Sequence, residues 1–307
     1  MCSIKRVLNS RGLRFTLSFV SLFVVVMFQT TIIQGSSKVT AETTRLRFSS
    51  VQLKTGVRLH YAERGELSGP VVLMLHGFTD SWFSYSRVLP LLDRKYHVYV
   101  LDQRGHGNSD RPQSGYTPRH FAADALAFMD EKDIKVATVV GHSMGSFVAQ
   151  HVAAMAPDRV NKLVLVGSAA SLRNSAVLGL QQDINSLQDS VPEKFIRDFQ
   201  TGTLVKPVPA EFFQGVIRES SKLPARVWKA VINDLIAGSN ADFHKIKSPT
   251  LIVWGDRETV FLRPEQDALL SAIPNSRLVV YEDTGHSPNW EMPERFVRNL
   301  EEFISPR

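Results

Sequence analysis

The chain has 307 residues and a formal net charge of +6, from 36 Lys and Arg against 30 Asp and Glu. Residues 1–41 hold five of the basic residues and no acidic one, so the rest carries 31 basic against 30 acidic residues, or +1. Such a nearly neutral body gives no electrostatic case for binding nucleic acid. A hydrophobic content of 43 % excludes disordered and fibrous classes, and Cys2, the single cysteine, excludes an intramolecular disulfide or a cysteine-based zinc site.

Residues 1–41 have the order of an export signal. Four basic residues between Lys5 and Arg14 precede a 14-residue apolar run from Phe15 to Phe28, which is typical of a secretory signal peptide. Counted through Ile33 the run reaches 19 residues, close to the length of about 20 that spans a bilayer. We therefore expect a cleaved signal peptide or an N-terminal signal anchor, and a protein that is secreted, periplasmic or membrane-anchored through residues 15–33.

From residue 46 onward, short β-branched runs alternate with helical patterns, which predicts a largely parallel sheet with crossover helices. The segments around Thr55-Gly56 predict an opening hairpin. Six near-continuous apolar runs, typical of strands buried on both faces, follow at 71–77, 96–102, 136–142, 160–168, 249–256 and 277–283. Helical patterns cover 84–92, 118–131, 144–156, 264–272 and 293–303.

Residues 171–245 break this rhythm, because they contain no convincing strand and read as helices interrupted by four prolines. We predict a helical cap inserted into an α/β core of residues 42–170 and 246–307, which carries a mostly parallel eight-stranded sheet flanked by helices. The aromatic residues of the cap predict either the wall of a pocket or a small helical core. They are Phe195, Phe199, Phe212, Phe213 and Trp228.

The segment GHSMG at 141–145 follows a predicted strand and opens a predicted helix. A G-x-S-x-G pattern alone is weak, but glycines around a serine at such a junction permit the sharp turn that lifts the hydroxyl above the sheet. Ser143 is therefore the candidate nucleophile. Its alternative role is that of an N-cap for the helix that begins near Met144.

A serine hydroxyl needs a base to take its proton, and the base needs a carboxylate to fix its tautomer. Asp256 ends a predicted strand, at the edge where open parallel sheets bind ligands. His286 follows the next strand. We therefore predict Ser143, Asp256 and His286 as a triad in the chain order Ser, acid, His; Glu258 and Asp283 are neighbouring carboxylates.

Five ordered segments together resemble the α/β-hydrolase superfamily over residues 46–304, leaving out the N-terminal segment and fitting the cap poorly. They are HGF at 76–78, DQRGHGNSD at 102–110, GHSMG at 141–145, WGDRE at 254–258 and TGHSPNWEMPE at 284–294. The resemblance implies an oxyanion hole formed by the backbone N–H groups of Phe78 and Met144. A serine at 143, where similar epoxide hydrolases and haloalkane dehalogenases carry aspartate, argues against those two activities.

The expected function is hydrolysis of a carboxylic ester or related small acyl substrate through an acyl-enzyme, as in carboxylesterases and lipases. We expect no cofactor, no metal and no nucleic acid partner, since no motif for any of them occurs. The same triad would also serve a carbon–carbon bond hydrolase or a cofactor-free perhydrolase. A small-ligand receptor with a slow triad is the alternative from another class. Oligomeric state and acyl length stay open.

Overall fold

A computed structural model describes residues 45–238 and 240–305. The predicted signal segment lies outside these residues. Within the described ranges, no helix combines the length and the apolar character needed to cross a membrane.

Eight strands form one sheet, with the spatial order β1-β2-β4-β3-β5-β6-β7-β8. They are β1 (Arg47–Gln52), β2 (Arg58–Arg64), β3 (Val71–Leu75), β4 (His97–Leu101), β5 (Ala137–His142), β6 (Val160–Val166), β7 (Thr250–Gly255) and β8 (Ser276–Tyr281). β2 pairs antiparallel with both β1 and β4, whereas the pairings from β4 through β8 are parallel. The predicted hairpin and the mostly parallel eight-stranded sheet are therefore confirmed.

Apolar clusters cover both faces of the sheet. Alternate side chains of its central strands point in opposite directions, so each of these strands contributes to both clusters. In β3, Leu73 belongs to the apolar cluster on one face, whereas Val72 and Met74 belong to the cluster on the other. Val139 and Val140 in β5 divide in the same way. Burial on both faces explains why these strands read as continuous apolar runs in the sequence.

Nine α-helices surround the sheet in the described part of the chain. They are α1 (Pro118–Glu131), α2 (Met144–Met155), α3 (Ser175–Ser186), α4 (Glu193–Gly202), α5 (Ala210–Ser221), α6 (Ala225–Ala237), α7 (Arg263–Ala272), α8 (Pro288–Glu291) and α9 (Pro293–Ile304). Helices α3 to α6 fall within the segment predicted as a cap and lie between β6 and β7 in the chain.

The predicted helix at 84–92 is wrong. A 3₁₀-helix spans Trp82–Tyr85, begun by the Ser81 hydroxyl, which accepts the Phe83 N–H at 3.1 Å, and hydrogen-bonded turns continue to Leu92. Pro90 has no N–H to donate, so it interrupts any regular helix here. The Tyr85 hydroxyl donates to the Leu75 carbonyl at 3.1 Å and fixes this segment beside the end of β3.

Candidate active site

Ser143 occupies the turn between β5 and α2 with φ 51° and ψ −120°. A non-glycine residue with positive φ is strained, and such strain is characteristic of functional turns. The turn is held on both sides, because the Ser143 N–H donates to the Val166 carbonyl at 2.9 Å and the Ser143 carbonyl accepts the Ser146 N–H at 2.8 Å. The serine thus lies at the carboxyl edge of the sheet.

The two glycines of GHSMG are required by close packing. A β-carbon at Gly141 would clash with the Gly145 carbonyl, and one at Gly145 would clash with the Leu75 carbonyl at the end of β3. Helix α2 therefore begins directly against the strands, which a side chain at either position would prevent. This close approach is the structural reason for the pattern seen in the sequence.

His286 lies in the loop after β8, beside the turn of Ser143. Its imidazole packs so closely against Gly167 that a side chain at position 167 would clash with it. Gly167 follows Val166, the residue whose carbonyl accepts the Ser143 N–H. His286 is 4 % exposed and lines the same pocket as Ser143. The structure therefore brings the predicted nucleophile and the predicted base to one site.

The carboxylate that reaches His286 is Glu258. Its Oε1 lies 2.5 Å from His286 Nδ1, so this ring nitrogen donates to the carboxylate and Nε2 is left without a proton, in the form that can accept one. The same Oε1 accepts the Phe261 N–H at 3.0 Å, which fixes the carboxylate in position.

The prediction of Asp256 as this carboxylate is corrected by the geometry. Asp256 is exposed, and its N–H donates to the Tyr281 carbonyl at 3.0 Å, which extends the β7–β8 pairing and leaves the side chain in solvent. The chain then turns, with the Glu258 N–H donating to the Gly255 carbonyl at 3.2 Å, and only at Glu258 does a side chain enter the interior. The sequence contains both acids, and no local pattern distinguishes them.

Two opposing effects act on Glu258. Burial raises its pKa, because a carboxylate loses hydration inside the protein, whereas the charge and hydrogen bond of His286 lower it. Burial is the larger effect. Among the described residues, Oε2 of Glu258 has no hydrogen-bond partner, so His286 supplies most of the compensation for burying this acid.

The loop after β3 carries Phe78, whose backbone N–H was predicted as one oxyanion donor. Phe78 and Met144 both line the pocket of Ser143. Met144 is the first residue of α2, where an N–H has no acceptor within the helix. His76 holds the loop, because its Nδ1 donates to the Gly77 carbonyl at 2.8 Å and its Nε2 accepts the Gln103 N–H at 3.0 Å. Burial lowers the pKa of His76, which favours this neutral form.

The pocket around Ser143 has a cavity of about 80 Å³. Most of its wall is aliphatic or aromatic and comes from both the core and the cap. The apolar residues are Phe78, Met144, Leu172, Val177, Leu180, Phe199, Ile232, Leu235, Val260, Phe261 and Trp290. Such a wall accepts an apolar group and excludes water from the serine.

Of the five cap aromatic residues singled out in the sequence, Phe199 lines this pocket. Trp228 is fully buried and packs edge-on against Phe78 and Phe199, at centroid distances of 5.3 and 5.8 Å. Phe212 packs instead against Trp290 at 5.5 Å. Both predicted roles therefore occur, since Phe195 and Phe199 pack against Trp228 within the segment and Phe199 also reaches the pocket.

The end of α4, in the segment predicted as a cap, contacts the loops that carry Asp80 and His286. The Gln200 side chain donates to Asp80 Oδ1 at 3.2 Å and to Thr79 Oγ1 at 3.3 Å in the loop after β3. The Thr203 carbonyl accepts the His286 N–H at 2.9 Å. Sequence reasoning missed these contacts, which join residues more than 80 positions apart and leave no local signal.

Comparison with known proteins places the fold in a family. The model of the alpha/beta hydrolase family matches residues 72–299. Lipase 1 of Psychrobacter immobilis is 28 % identical over 277 residues, covering 85 % of this chain and 84 % of the relative. Lipase 3 of Moraxella sp. (strain TA144) is 28 % identical over 278 residues, covering 84 % of each.

Among solved structures, the esterase of Exiguobacterium antarcticum superposes with a TM-score of 0.75 and 24 % identity, covering 84 % of this chain and 99 % of its own. The likeness in structure supports the fold, and the family match spans most of the sequence, including Ser143, Glu258 and His286. The chain belongs to the alpha/beta hydrolase family.

Proposed function

We propose that the protein is a serine hydrolase that cleaves carboxylic esters with a short apolar acyl group. The observation that carries this proposal is the convergence, in one apolar pocket, of Ser143 on its strained turn and of His286 with its Nδ1 held by Glu258. Such an arrangement serves nucleophilic attack on an acyl carbon.

In the proposed reaction, Ser143 Oγ attacks the ester carbonyl while His286 Nε2 takes the hydroxyl proton. Glu258 fixes the tautomer of the imidazole through Nδ1 and stabilises the imidazolium that forms. Negative charge develops on the former carbonyl oxygen, where the N–H groups of Phe78 and Met144 would donate to it. His286 then protonates the leaving alcohol, and the acyl group stays on Ser143.

The second half of the reaction repeats these roles with water. His286 removes a proton from water as it attacks the acyl carbon, the carbonyl oxygen again carries the negative charge, and the proton returns to Ser143 Oγ when the acid leaves. The buried wall keeps other water away from the acyl-enzyme.

The pocket supports the choice of substrate. A cavity of about 80 Å³ is small beside the roughly 300–1,000 Å³ of typical ligand pockets, which favours acetyl to butyryl groups over long acyl chains. The relatives named lipases, and a similar structure named an esterase, support ester cleavage. The small cavity favours short esters over the long-chain substrates that the name lipase suggests.

The test is turnover of p-nitrophenyl esters from acetate to dodecanoate, with fluorophosphonate labelling of the serine. We expect the highest kcat/KM at or below butyrate, and a loss of about 10⁴–10⁶-fold in Ser143→Ala. Ser84→Ala is the matched control, because Ser84 is a buried serine whose hydroxyl has no partner among the described residues. It is expected to keep its activity within about twofold.

Equal ester turnover in Ser143→Ala and the wild type would show that Ser143 is not the nucleophile. Labelling of Ser143 without ester turnover would instead favour the alternatives from the sequence. Cleavage of a vinylogous diketone would identify a carbon–carbon hydrolase, and oxidation of a halide with added peroxide and acetate would identify a perhydrolase. A single burst followed by a stalled adduct would identify a ligand receptor.

A further inference from the structure

Asp80 is a buried acid that the proposed triad and oxyanion donors leave without a role. It lies in the loop after β3, is 3 % exposed and lines the pocket of Ser143. Among the described residues, the one side chain that hydrogen-bonds to its carboxyl group is the uncharged amide of Gln200, whose Nε2 donates to Oδ1 at 3.2 Å. The Gly77 backbone also donates to this carboxyl group. Within the described ranges, no Lys, Arg or His forms an ion pair with it.

The titratable groups that face Asp80 do not supply a positive charge. Glu219 of α5 adds negative charge, and Tyr85 of the 3₁₀-helix is a neutral phenol. His142, at the end of β5, is kept neutral because burial lowers its pKa well below the ordinary value. His286, the other titratable group of the pocket, is bound to Glu258.

Burial without a cation favours the protonated form of Asp80. Loss of hydration raises its pKa to about 8, although hydrogen bonds from Gln200 and from the Gly77 backbone act in the opposite direction. The acid is therefore mostly neutral at pH 7. A neutral carboxyl group can donate one hydrogen bond, which a carboxylate cannot.

The second oxygen of Asp80 lies beside the nucleophile. A methyl group added to Gly77 would lie 2.9 Å from Asp80 Oδ2, 3.3 Å from Ser143 Cβ and 3.2 Å from His142 Nδ1. Oδ2 and Ser143 therefore flank the same point next to the loop of the oxyanion donor Phe78. Gln200 donates to Oδ1, so that oxygen acts as an acceptor and Oδ2 carries the proton. The Gly77 backbone also donates to the carboxyl group, and a hydroxyl oxygen can accept one hydrogen bond while its O–H donates another.

We propose that Asp80 contacts the substrate as a neutral carboxylic acid, donating a hydrogen bond from Oδ2 to an oxygen of the ester bound at Ser143. This proposal rests on the proposed function. The donor strengthens as negative charge develops on that oxygen, so it stabilises the transition state more than the ground state. An ionised Asp80 would do the reverse, because its charge would repel the oxyanion inside a pocket that water does not screen.

The test is the pH dependence of kcat/KM for an alkyl butyrate. The reaction is monitored by titrating the acid that it releases. In the wild type we expect kcat/KM to fall about tenfold for each pH unit above the Asp80 pKa of about 8. Asp80→Asn keeps a neutral donor at the same place. It is expected to retain kcat/KM at pH 7 within about fivefold and to lose this alkaline fall. Asp256→Asn, which neutralises an exposed acid instead, is expected to keep the wild-type profile.

A second variant tests the donor itself. Asp80→Leu is similar in size but cannot donate, and we expect kcat to fall by about ten- to a hundredfold at pH 7 with a smaller change in KM. Circular dichroism first establishes that both variants are folded. A structural role of Asp80 alone would then not make Asp80→Asn differ from Asp80→Leu in this way. An unchanged alkaline fall in Asp80→Asn, or wild-type kcat in Asp80→Leu, would overturn the proposal.

A failure of ester turnover would be separable from a failure of this proposal. The rate of fluorophosphonate labelling also depends on negative charge developing on an oxygen near Ser143, so its pH profile tests Asp80 without an ester. The infrared carbonyl band of a protonated carboxylic acid, compared between the wild type and Asp80→Asn, tests the proton directly. A band at pH 6 that disappears by pH 10 is expected, and identical spectra for the two proteins would contradict the neutral acid.

Discussion

Two loops at the carboxyl edge of the sheet each bury an acid at the candidate site, Glu258 against His286 and Asp80 in the pocket of Ser143. The loop after β7 pairs Glu258 with an imidazole that can carry positive charge, at 2.5 Å. Asp80, in the loop after β3, has neutral partners instead, the amide of Gln200 at 3.2 Å and the Gly77 backbone. Burial raises the pKa of both acids, and for Asp80 it does so to about 8.

This difference suits the two tasks proposed for these acids. An acid that must stabilise an imidazolium should carry negative charge when the histidine becomes positive, and the histidine itself provides that compensation. An acid that must face an oxyanion should carry none, and an apolar site with a neutral partner keeps it protonated. The identity of the partner, more than the depth of burial, separates the two roles.

Of the substitutions at the buried acids, the largest effect is expected when Glu258 loses its charge. Glu258→Gln keeps the size of the side chain but cannot stabilise the imidazolium, and the amide can favour the wrong tautomer of His286. We expect kcat for the best ester to fall by about 10³–10⁴-fold with little change in KM. Steady-state kinetics at pH 7 provide the measurement.

Asp256→Asn is the matched control for this variant, because it neutralises the acid two positions earlier. Asp256 is exposed and makes no side-chain contact with His286 among the described residues, so kcat should stay within about twofold. If Asp256→Asn lost more activity than Glu258→Gln, the acid of the sequence prediction would be the correct one.

The pair also illustrates how far the sequence could be read. Ser143 and His286 follow apolar strands whose parallel order brings their ends to one edge, so their shared location could be predicted from periodicity and the glycine turn. The choice between Asp256 and Glu258 depends on one hydrogen-bonded turn and on a contact 28 residues away in the chain. The local sequence pattern reveals neither this turn nor this contact.

Asp80 was beyond sequence reasoning for a related reason. Its state depends on Gln200, which is 120 residues away and comes from the cap. The packing of cap helices against the core follows from many weak apolar contacts, so a single sequence does not predict which polar side chain meets which loop.

Replacing Asp80 by a residue that does not titrate should change how the unfolding free energy depends on pH. An unfolded aspartate ionises near pH 3.9, whereas the folded one does so near 8, so the folded state binds the proton more tightly and the wild type loses stability as the pH rises between these values. Asp80→Asn should be more stable than the wild type at pH 8, by up to about 5 kcal/mol, because the pKa differs by about four pH units and each unit is worth about 1.4 kcal/mol; the two should be nearly equal at pH 4. Urea unfolding at both pH values measures this difference, and an equal difference at both would contradict it.

A third buried acid, Glu291 in α8, is held by peptide N–H groups rather than by a side chain. Oε1 accepts the Gly285 N–H at 2.9 Å, and Oε2 accepts those of Val205 and Lys206 at 3.1 and 2.6 Å. Glu291→Gln replaces one acceptor oxygen with an NH₂ group facing N–H donors, so we expect a loss of about 1–3 kcal/mol in unfolding free energy at pH 7.

Glu294→Gln, an exposed acid at the start of α9, is the control for Glu291 and should change the unfolding free energy by about 0.5 kcal/mol or less. Urea unfolding of the two variants side by side gives the comparison. Equal changes in unfolding free energy for the two variants would mean that the three hydrogen bonds from peptide N–H groups to Glu291 do not stabilise the contact between residues 205–206 and the His286 loop.

The smallest effect is expected at Asp283, an acid in the turn that follows β8. Its carboxylate lies 3.4 Å from Arg257, and both side chains are mostly exposed, at 74 % and 64 %. Water and salt screen such a pair, so its contribution is below about 0.5 kcal/mol. Asp283 has φ 48°, a conformation that Asn tolerates better than most residues. Asp283→Asn should therefore change neither kcat nor the unfolding midpoint measurably, whereas a β-branched residue there, Asp283→Val, should lower the midpoint because it cannot adopt the turn without strain.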